Sequence, residues 1–121
     1  MQLNWLKKIG NKAFHNAFVD LCEFEQQLFC CFREAQNHVS ADGSIRILTM
    51  DFQGNITRTL RIAIPNTDLR DPKVSVTPKG ELLLIAYARL TAGNNQTKST
   101  RNLTCASQPG HTWSSATESA A

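Results

Sequence analysis

Two short apolar stretches decide the fold. The first, LFCCFR, covers residues 28–33, and the second, LLLIAYA, covers residues 82–88. Both are short for helices, and the second is apolar throughout, which is typical of a strand that is buried on both faces. Arg33 ends the first stretch, and Arg89 follows the second, 56 residues further along the chain. This spacing predicts one structural unit that occurs twice.

The sequence around the first stretch predicts a four-stranded antiparallel meander. Polar residues precede the stretch, and the turn signal Ala41-Asp42-Gly43 follows it. Residues Asp51 to Asn55 read as a hairpin turn. Between these turns, apolar and polar residues alternate well enough for strands. The expected strands cover residues 17–25, 28–33, 45–48 and 56–64.

The sequence around the second stretch predicts a similar unit. A polar connection, residues 65–72, leads to a strictly alternating segment, KVSVT. The turn Pro78-Lys79-Gly80-Glu81 follows, because proline fixes φ and glycine accepts positive φ. The expected strands cover residues 73–77, 82–88 and 100–106. No clear fourth strand follows, and we expect the small polar residues from Ser114 onwards to fray.

Four-stranded repeats with a period of about 40–50 residues are typical of propeller blades. We therefore expect an all-β fold in which two four-stranded antiparallel blades form a single partial propeller domain, residues 1–121. Blade 1 is expected at about 13–64, blade 2 at about 71–113, and a tail at 114–121. A small β-sandwich is the alternative, because several short strands with frequent turns also fit that class.

Composition excludes several classes of function. The 121 residues include 13 Lys and Arg against 10 Asp and Glu, and no basic run exceeds two residues, so we expect no nucleic-acid partner. No apolar stretch approaches the length of a membrane-spanning helix, so we expect no membrane partner. The four cysteines form no zinc-binding pattern, and we expect no metal and no other cofactor. Free thiols slightly favour the cytoplasm, and localisation otherwise stays open.

Four segments resemble the opening of bacterial sialidase-like propeller proteins, the BNR or Asp-box repeat glycosyl hydrolases. They are His15–Leu21, Cys31–Glu34, His38–Arg46 and Asp68–Gly80, and the resemblance covers roughly residues 11–113. The resemblance implies the first two blades of a six-bladed propeller. The family's Asp-box pattern is damaged here, because Pro109 stands at the position of its aspartate, and the segment beginning at Thr49 lacks its aromatic residue.

Strand polarity predicts that many polar residues share one end of the two-blade unit. Strand starts, strand ends and the intervening loops bring this set together: His15, Asn16, Arg33, Glu34, His38, Asp42, Asp68, Arg70, Asp71, Tyr87 and Arg89. In sialidase-like proteins, ligands bind at the corresponding end. Guanidinium groups bind a sugar carboxylate through paired charge-assisted hydrogen bonds, and a carboxylic acid protonates the leaving oxygen.

These requirements assign roles to particular residues. Asp71 and Glu34 are the candidate catalytic acid and base, or they orient the neighbouring arginines. Arg33 and Arg70 are the candidates for anion recognition, and the other candidate substrate-binding residues are Asp20, Asp42, His15 and His38. The alternatives are that Arg33–Glu34 and Arg70–Asp71 are structural ion pairs, that both histidines are ordinary surface residues, and that Tyr87 belongs to the core.

The resemblance implies a truncated sialidase-like (exo-α-sialidase-like) glycoside hydrolase that carries part of a carbohydrate-binding face. We expect the chain to lack the complete catalytic constellation on its own. The alternative is a non-catalytic carbohydrate-binding module or an oligomeric propeller-assembly module. The expected partners are a glycan or a sialoside-like small molecule and further copies of the chain, because two isolated blades leave apolar blade faces exposed. Three copies would close a six-bladed ring by head-to-tail contacts.

Overall fold

The computed structural model describes residues 6–91, 96–107, 113–114 and 117–120, the last of these as backbone only. The described residues form eight β-strands and no helix. No described segment is therefore a helix that is long and apolar enough to span a membrane. The strands are β1 (His15–Phe24), β2 (Gln27–Ala35), β3 (Ser44–Met50), β4 (Ile56–Ile62), β5 (Thr67–Val76), β6 (Leu82–Thr91), β7 (Thr97–Ser107) and β8 (Thr117–Ala120).

The strands form two antiparallel sheets of identical topology. The first sheet has the order β1-β2-β3-β4, and the second has the order β5-β6-β7-β8, so each strand pairs with its neighbours in the sequence. Asp51 closes the turn between β3 and β4. Its carboxylate accepts hydrogen bonds from the backbone N–H groups of Gln53 and Asn55, each at a distance of 2.9 Å. The predictions of an all-β fold and of this hairpin turn are therefore confirmed.

Two predictions about the second sheet are wrong. β5 begins at Thr67, so Asp68, Arg70 and Asp71 lie within a strand and not in a polar connection between the sheets. Pro72 is tolerated in β5 because it lies at a bulge, where the ladder of hydrogen bonds is interrupted. A fourth strand, β8, lies in the segment predicted to fray. The second segment with Asp-box character, residues 107–113, lies mostly outside the described residues.

The first strand of each sheet carries the same irregularity. The register shifts between Ala17 and Asp20 in β1 and between Arg70 and Lys73 in β5. Each shift adds one residue to the first strand, and each contains a residue with positive φ, 60° at Phe18 and 53° at Asp71. Bulges of this kind bend a strand and re-aim a side chain. The shared bulge supports the predicted duplication of one unit.

The bulges also correct the predicted alignment of the two units. Arg33 pairs with Ala17, directly before the first bulge, and Tyr87 pairs with Arg70, directly before the second. The structural counterpart of Arg33 is therefore Tyr87 and not Arg89. Sequence alignment of the two arginines failed because it could not detect where the strands bulge.

The core lies between the two sheets. β5 approaches β1, β2 and β3, and buried side chains from both sheets form one cluster. The first sheet contributes Phe24, Phe29, Cys31, Ile45 and Ile47, and the second contributes Leu69, Val74, Leu82, Leu84, Ala86, Ala88, Leu103 and Cys105. Buried and exposed side chains alternate along β6. Ile85 and Tyr87 point away from this core and are exposed. The prediction that residues 82–88 are buried on both faces is therefore wrong.

The N-terminal segment covers part of the outer face of the first sheet. Cys30, Phe32, Leu48 and Met50 form a second buried cluster there, against which Ile9 and Leu28 pack. Gly10 lies so close to Phe32 that an added Cβ would be 2.6 Å from its ring. This cover is partial, because Val19 and Leu21 stay 63% and 54% exposed beside the cluster. The second sheet packs on its inner face and exposes Ile85 and Tyr87 on the other.

Candidate functional site

A single carboxylate organises the end of the molecule where β2, β5 and β6 meet. Oδ1 of Asp68 accepts hydrogen bonds from Nε of Arg33 at 3.2 Å, from Nη2 of Arg33 at 2.9 Å and from the backbone N–H of Gly43 at 3.1 Å. Oδ2 accepts from Nε of Arg70 at 2.6 Å and from Nε and Nη2 of Arg89 at 3.1 and 3.0 Å. Three guanidinium groups thus surround one carboxylate, and we call these four residues the Asp68 cluster.

Arg33 is the buried member of the Asp68 cluster. Its side chain has no exposed surface, and its remaining donors bind the carbonyl groups of Asn37 and Ser40, at 3.1 and 2.8 Å. Arg33 therefore fastens the loop between β2 and β3 to the start of β5. Because these bonds use the donors of its guanidinium group and water does not reach it, we do not propose a substrate-binding role for Arg33.

Both ion pairs that the sequence suggested are wrong. Arg33 and Arg70 bind Asp68, whereas Glu34 binds Arg46 at 3.1 Å and Asp71 lies 3.6 Å from Lys73. The physical reason is the alternation of a strand, in which neighbouring side chains point to opposite faces. Glu34 therefore lies on the outer face of the first sheet, while Arg33 points toward the second sheet.

Asp20 and Asp42 also have structural partners. The carboxylate of Asp20 accepts the backbone N–H of Val74 at 3.0 Å and so joins β1 to β5. Asp42 accepts the N–H of Gln36. Burial tends to raise the pKa of Asp42, but hydrogen bonds from the Ser40 hydroxyl and the Gln36 N–H outweigh it, so this pKa is lowered. Neither carboxylate lines the groove described next.

The two bulges open onto one groove. The groove is shallow, has a volume of about 600 Å³ and is lined by Phe18, Arg70, Asp71, Lys73, Ile85, Ala86, Tyr87 and Asn102. Phe18 and Asp71 are the two bulge residues with positive φ. A bulky residue such as Phe18 rarely adopts this conformation, whereas aspartate tolerates it more readily, and such strain is concentrated at functional sites. We call this depression the bulge groove.

Arg70 supplies the polar recognition group of the bulge groove. Its Nε is held by Asp68, which fixes the plane of the guanidinium group, and its side chain stays 20% exposed. Among the described residues, no hydrogen bond donated by its two terminal nitrogens is found. A guanidinium edge that is both oriented and free matches the geometry of a carboxylate.

Aromatic rings form the walls of the bulge groove. Phe18 and Tyr87 are each 37% exposed. The ring centroid of His38 lies 5.5 Å from that of Phe18 and also 5.5 Å from that of His15. The two histidines therefore border the groove through Phe18, but they are not among its lining residues.

Of the eight residues that line the bulge groove, sequence reasoning named Arg70 and Asp71 as site candidates and placed Tyr87 at the same end, but it did not identify the other five. Phe18 lies within a quoted motif, but nothing in the sequence marks the bulge that turns it toward the groove. Lys73 and Asn102 lie on strands and carry no motif of their own. Tyr87 was placed among the core residues as an alternative, and the alternation of polar and apolar environments along β6 became visible only in the structure.

The structure does not unite the two candidate acids. Glu34 lies on the outer face of the first sheet beside Lys12 and Arg46, whereas Asp71 lies at the bulge groove. The cysteines are poor nucleophiles, because burial, with the charge of Asp20 as a smaller cause, raises the pKa of Cys30 to about 11 and that of Cys31 to about 12. Within the described part of the chain, no group of three His, Cys, Asp or Glu residues is arranged to hold a metal ion.

Comparisons with known proteins do not add a family to this geometry. No protein family, curated protein or solved structure matches the chain. The resemblance to sialidase-like propellers and the assignment of the sheets as propeller blades therefore stay predictions.

Proposed function

We propose that the chain is a carbohydrate-binding module that binds an acidic sugar in the bulge groove. The observation that carries this proposal is the guanidinium group of Arg70, which Asp68 orients and whose terminal nitrogens make no hydrogen bond within the described part of the chain. A carboxylate on a sugar ring would accept two parallel hydrogen bonds from these nitrogens. The resemblance of the chain to sialidase-like proteins agrees with a ligand of this class.

The charge around the bulge groove favours an anion. The Asp68 cluster and the neighbouring pair Lys73–Asp71 together hold four cationic groups and two carboxylates. This excess positive charge borders a groove with apolar walls, and such low-dielectric walls strengthen the electric field of nearby charges. An acidic ligand is therefore attracted more strongly than a neutral one.

The aromatic walls favour a sugar over a small inorganic anion. The rings of Phe18 and Tyr87 offer apolar surfaces against which the C–H face of a pyranose can pack, and a few polar groups among apolar walls are typical of small-molecule sites. Asn102 also lines the groove. A site with one cationic fork and two rings fits a ring-shaped carboxylate ligand.

We propose binding and not hydrolysis for this chain alone. General acid and base groups must lie within hydrogen-bond reach of the same substrate, and Glu34 and Asp71 do not line a common groove. Asp71 is the one predicted catalytic carboxylate at the bulge groove. In a binding module, its role is to hold Lys73 and to accept a sugar hydroxyl.

The test is a calorimetric or NMR titration with the methyl α-glycoside of N-acetylneuraminic acid, with methyl galactoside as the neutral probe. We expect the acidic sugar to bind with millimolar affinity and the neutral sugar to bind at least several-fold more weakly. Arg70→Gln should remove this preference, while Lys79→Gln, an exposed cation in the turn before β6, should not. Equal binding of both sugars, or unchanged binding by Arg70→Gln, would contradict the proposal.

A fluorogenic sialoside tests the non-catalytic part separately. We expect no turnover above that of buffer. Turnover that falls on Asp71→Asn substitution would show that Asp71 is catalytic and would overturn the binding-only reading.

A further inference from the structure

Two rows of side chains cross the outer face of the second sheet at the bulge groove. Arg70 of β5 pairs with Tyr87 of β6, and Lys73, which follows the bulge, pairs with Ile85. Paired residues of neighbouring strands point to the same face. Because Ile85 and Tyr87 stand two positions apart on β6, the rows are about 7 Å apart. Both rows line the groove, and each has a cation on β5.

The ammonium group of Lys73 is accessible to a ligand. Its side chain is 56% exposed, and Asp71, its partner in an ion pair, lies 3.6 Å away, which is longer than a hydrogen bond. An ammonium group has three donors, and no other ion pair of this group is found in the part of the chain that the structure describes. Lys73 can therefore donate to a second anionic group while Asp71 stays beside it.

The charges beside the groove favour a ligand with two carboxylates. The Asp68 cluster and the pair Lys73–Asp71 together hold two more cations than carboxylates. A ligand with one carboxylate leaves one of these positive charges without compensation, whereas a ligand with two neutralises both. The groove also has room for a second ring, because its volume of about 600 Å³ is typical of pockets for drug-sized ligands, which are larger than one sugar.

We infer that the bulge groove binds an oligosaccharide in which two neighbouring sugars each carry a carboxylate. This inference rests on the proposed function and adds a second subsite to it. The first sugar lies between Phe18 and Tyr87 with its carboxylate on Arg70. The carboxylate of the next sugar accepts hydrogen bonds from the ammonium group of Lys73, and its ring packs on Ile85. The spacing of the two rows is comparable with the length of one sugar residue, so linked sugars reach both cations.

Titration calorimetry with two disaccharides tests the second subsite. The first is a dimer of N-acetylneuraminic acid, and the second is N-acetylneuraminic acid linked to galactose, which carries one carboxylate. We expect the dimer to bind about fivefold more tightly, which is the gain from one partly exposed ion pair at the upper end of its usual range. Two acidic rings that compete for the Arg70 subsite alone would at most double the affinity.

Three variants assign this gain to Lys73. Lys73→Gln should reduce the gain to the statistical doubling and leave the affinity for the singly charged disaccharide nearly unchanged. Lys73→Arg keeps the charge and should retain the gain. Lys79→Gln makes the same chemical change on an exposed lysine in the turn before β6 and should affect neither sugar. The side chain of Lys73 is more than half exposed, so we expect its variants to fold.

The two disaccharides separate a failure of this inference from a failure of the proposed function. If the singly charged disaccharide binds and the dimer gains no more than the doubling, the second subsite is wrong and the proposed function stands. The same conclusion follows if the gain survives Lys73→Gln. If neither disaccharide binds, both the proposed function and this inference are wrong.

Discussion

Replacing Asp68 with asparagine removes the only negative charge from the Asp68 cluster and nearly preserves its shape. Arg33 then stays buried without a counter-ion, and Arg70 and Arg89 lose the carboxylate that orients them. Breaking a buried ion pair by removing one partner costs roughly 3–5 kcal/mol. The other two arginines are partly exposed and can turn toward water, so they add little to this cost. We therefore expect a loss of about 4 kcal/mol in the free energy of unfolding.

This loss is measurable against the stability of a small domain, which is typically about 5–15 kcal/mol. With a urea dependence of about 2 kcal/mol per molar, the unfolding midpoint should fall by about 2 M. Urea titration followed by circular dichroism measures it. Asp71→Asn is the matched control, because it makes the same chemical change three residues away on an exposed pair and should cost less than about 1 kcal/mol.

The comparison between these two variants refutes or supports the reasoning. If Asp68→Asn unfolds within about 1 kcal/mol of the wild type, the cluster does not hold the two sheets together. If Asp68→Asn does not fold at all, Arg89→Gln gives a milder test. It removes one half-buried partner of Asp68 and should cost about 1.5–3 kcal/mol, the value of a hydrogen bond to a charged group.

Three other predictions follow from the packing. Gly43→Ala should destabilise the protein by about 1–3 kcal/mol in urea titration, because its Cβ would meet Asp68, Arg33 and the carbonyl oxygen of Leu69. Gly80→Ala is the control, because its Cβ would meet no atom and should cost only the strain of its positive φ, about 1 kcal/mol. Folded protein at pH 8 should react with iodoacetamide far more slowly than protein in urea, since burial raises the pKa of Cys30 and Cys31, and equal rates would contradict this. The raised thiol pKa values also stabilise the fold below pH 9.0, so the free energy of unfolding should fall between pH 9.0 and about 12, and Cys31→Ser should reduce this slope.

Much of the fold could be predicted because it depends on local patterns. The alternation of apolar and polar residues and the turn residues located the three connections of the first sheet. Strand polarity correctly placed the end of β2, the start of β5 and the end of β6 together. The start of β5 could not be found in this way. Pro65 and Pro72 bracket the segment, and proline within a run of residues normally argues against a strand. A bulge accommodates Pro72, and bulges leave little trace in a single sequence.

The candidate site was harder to predict. Which side chains contact each other depends on the face of the sheet to which they point, and not only on the end of the sheet at which they lie. Sequence neighbours such as Arg33 and Glu34 share an end of the sheet, but the pleat directs them apart, which was deducible once a strand was assumed. That Arg33 would be buried on Asp68, 35 residues away, depends on how the two sheets pack. Phe18 and Asp71 reach the same groove through bulges, and this too depends on how the two sheets pack.

Arginine Nε–H and backbone amide signals, recorded during a titration with an acidic and a neutral sugar, test the account most directly. If the bulge groove binds the acidic sugar, the signals of Arg70, Asp71 and Tyr87 shift with the acidic sugar and stay in place with the neutral one, while that of Arg33 does not move. Signals that stay in place with both sugars, or that shift equally with both, would contradict the assignment of this groove as the binding site.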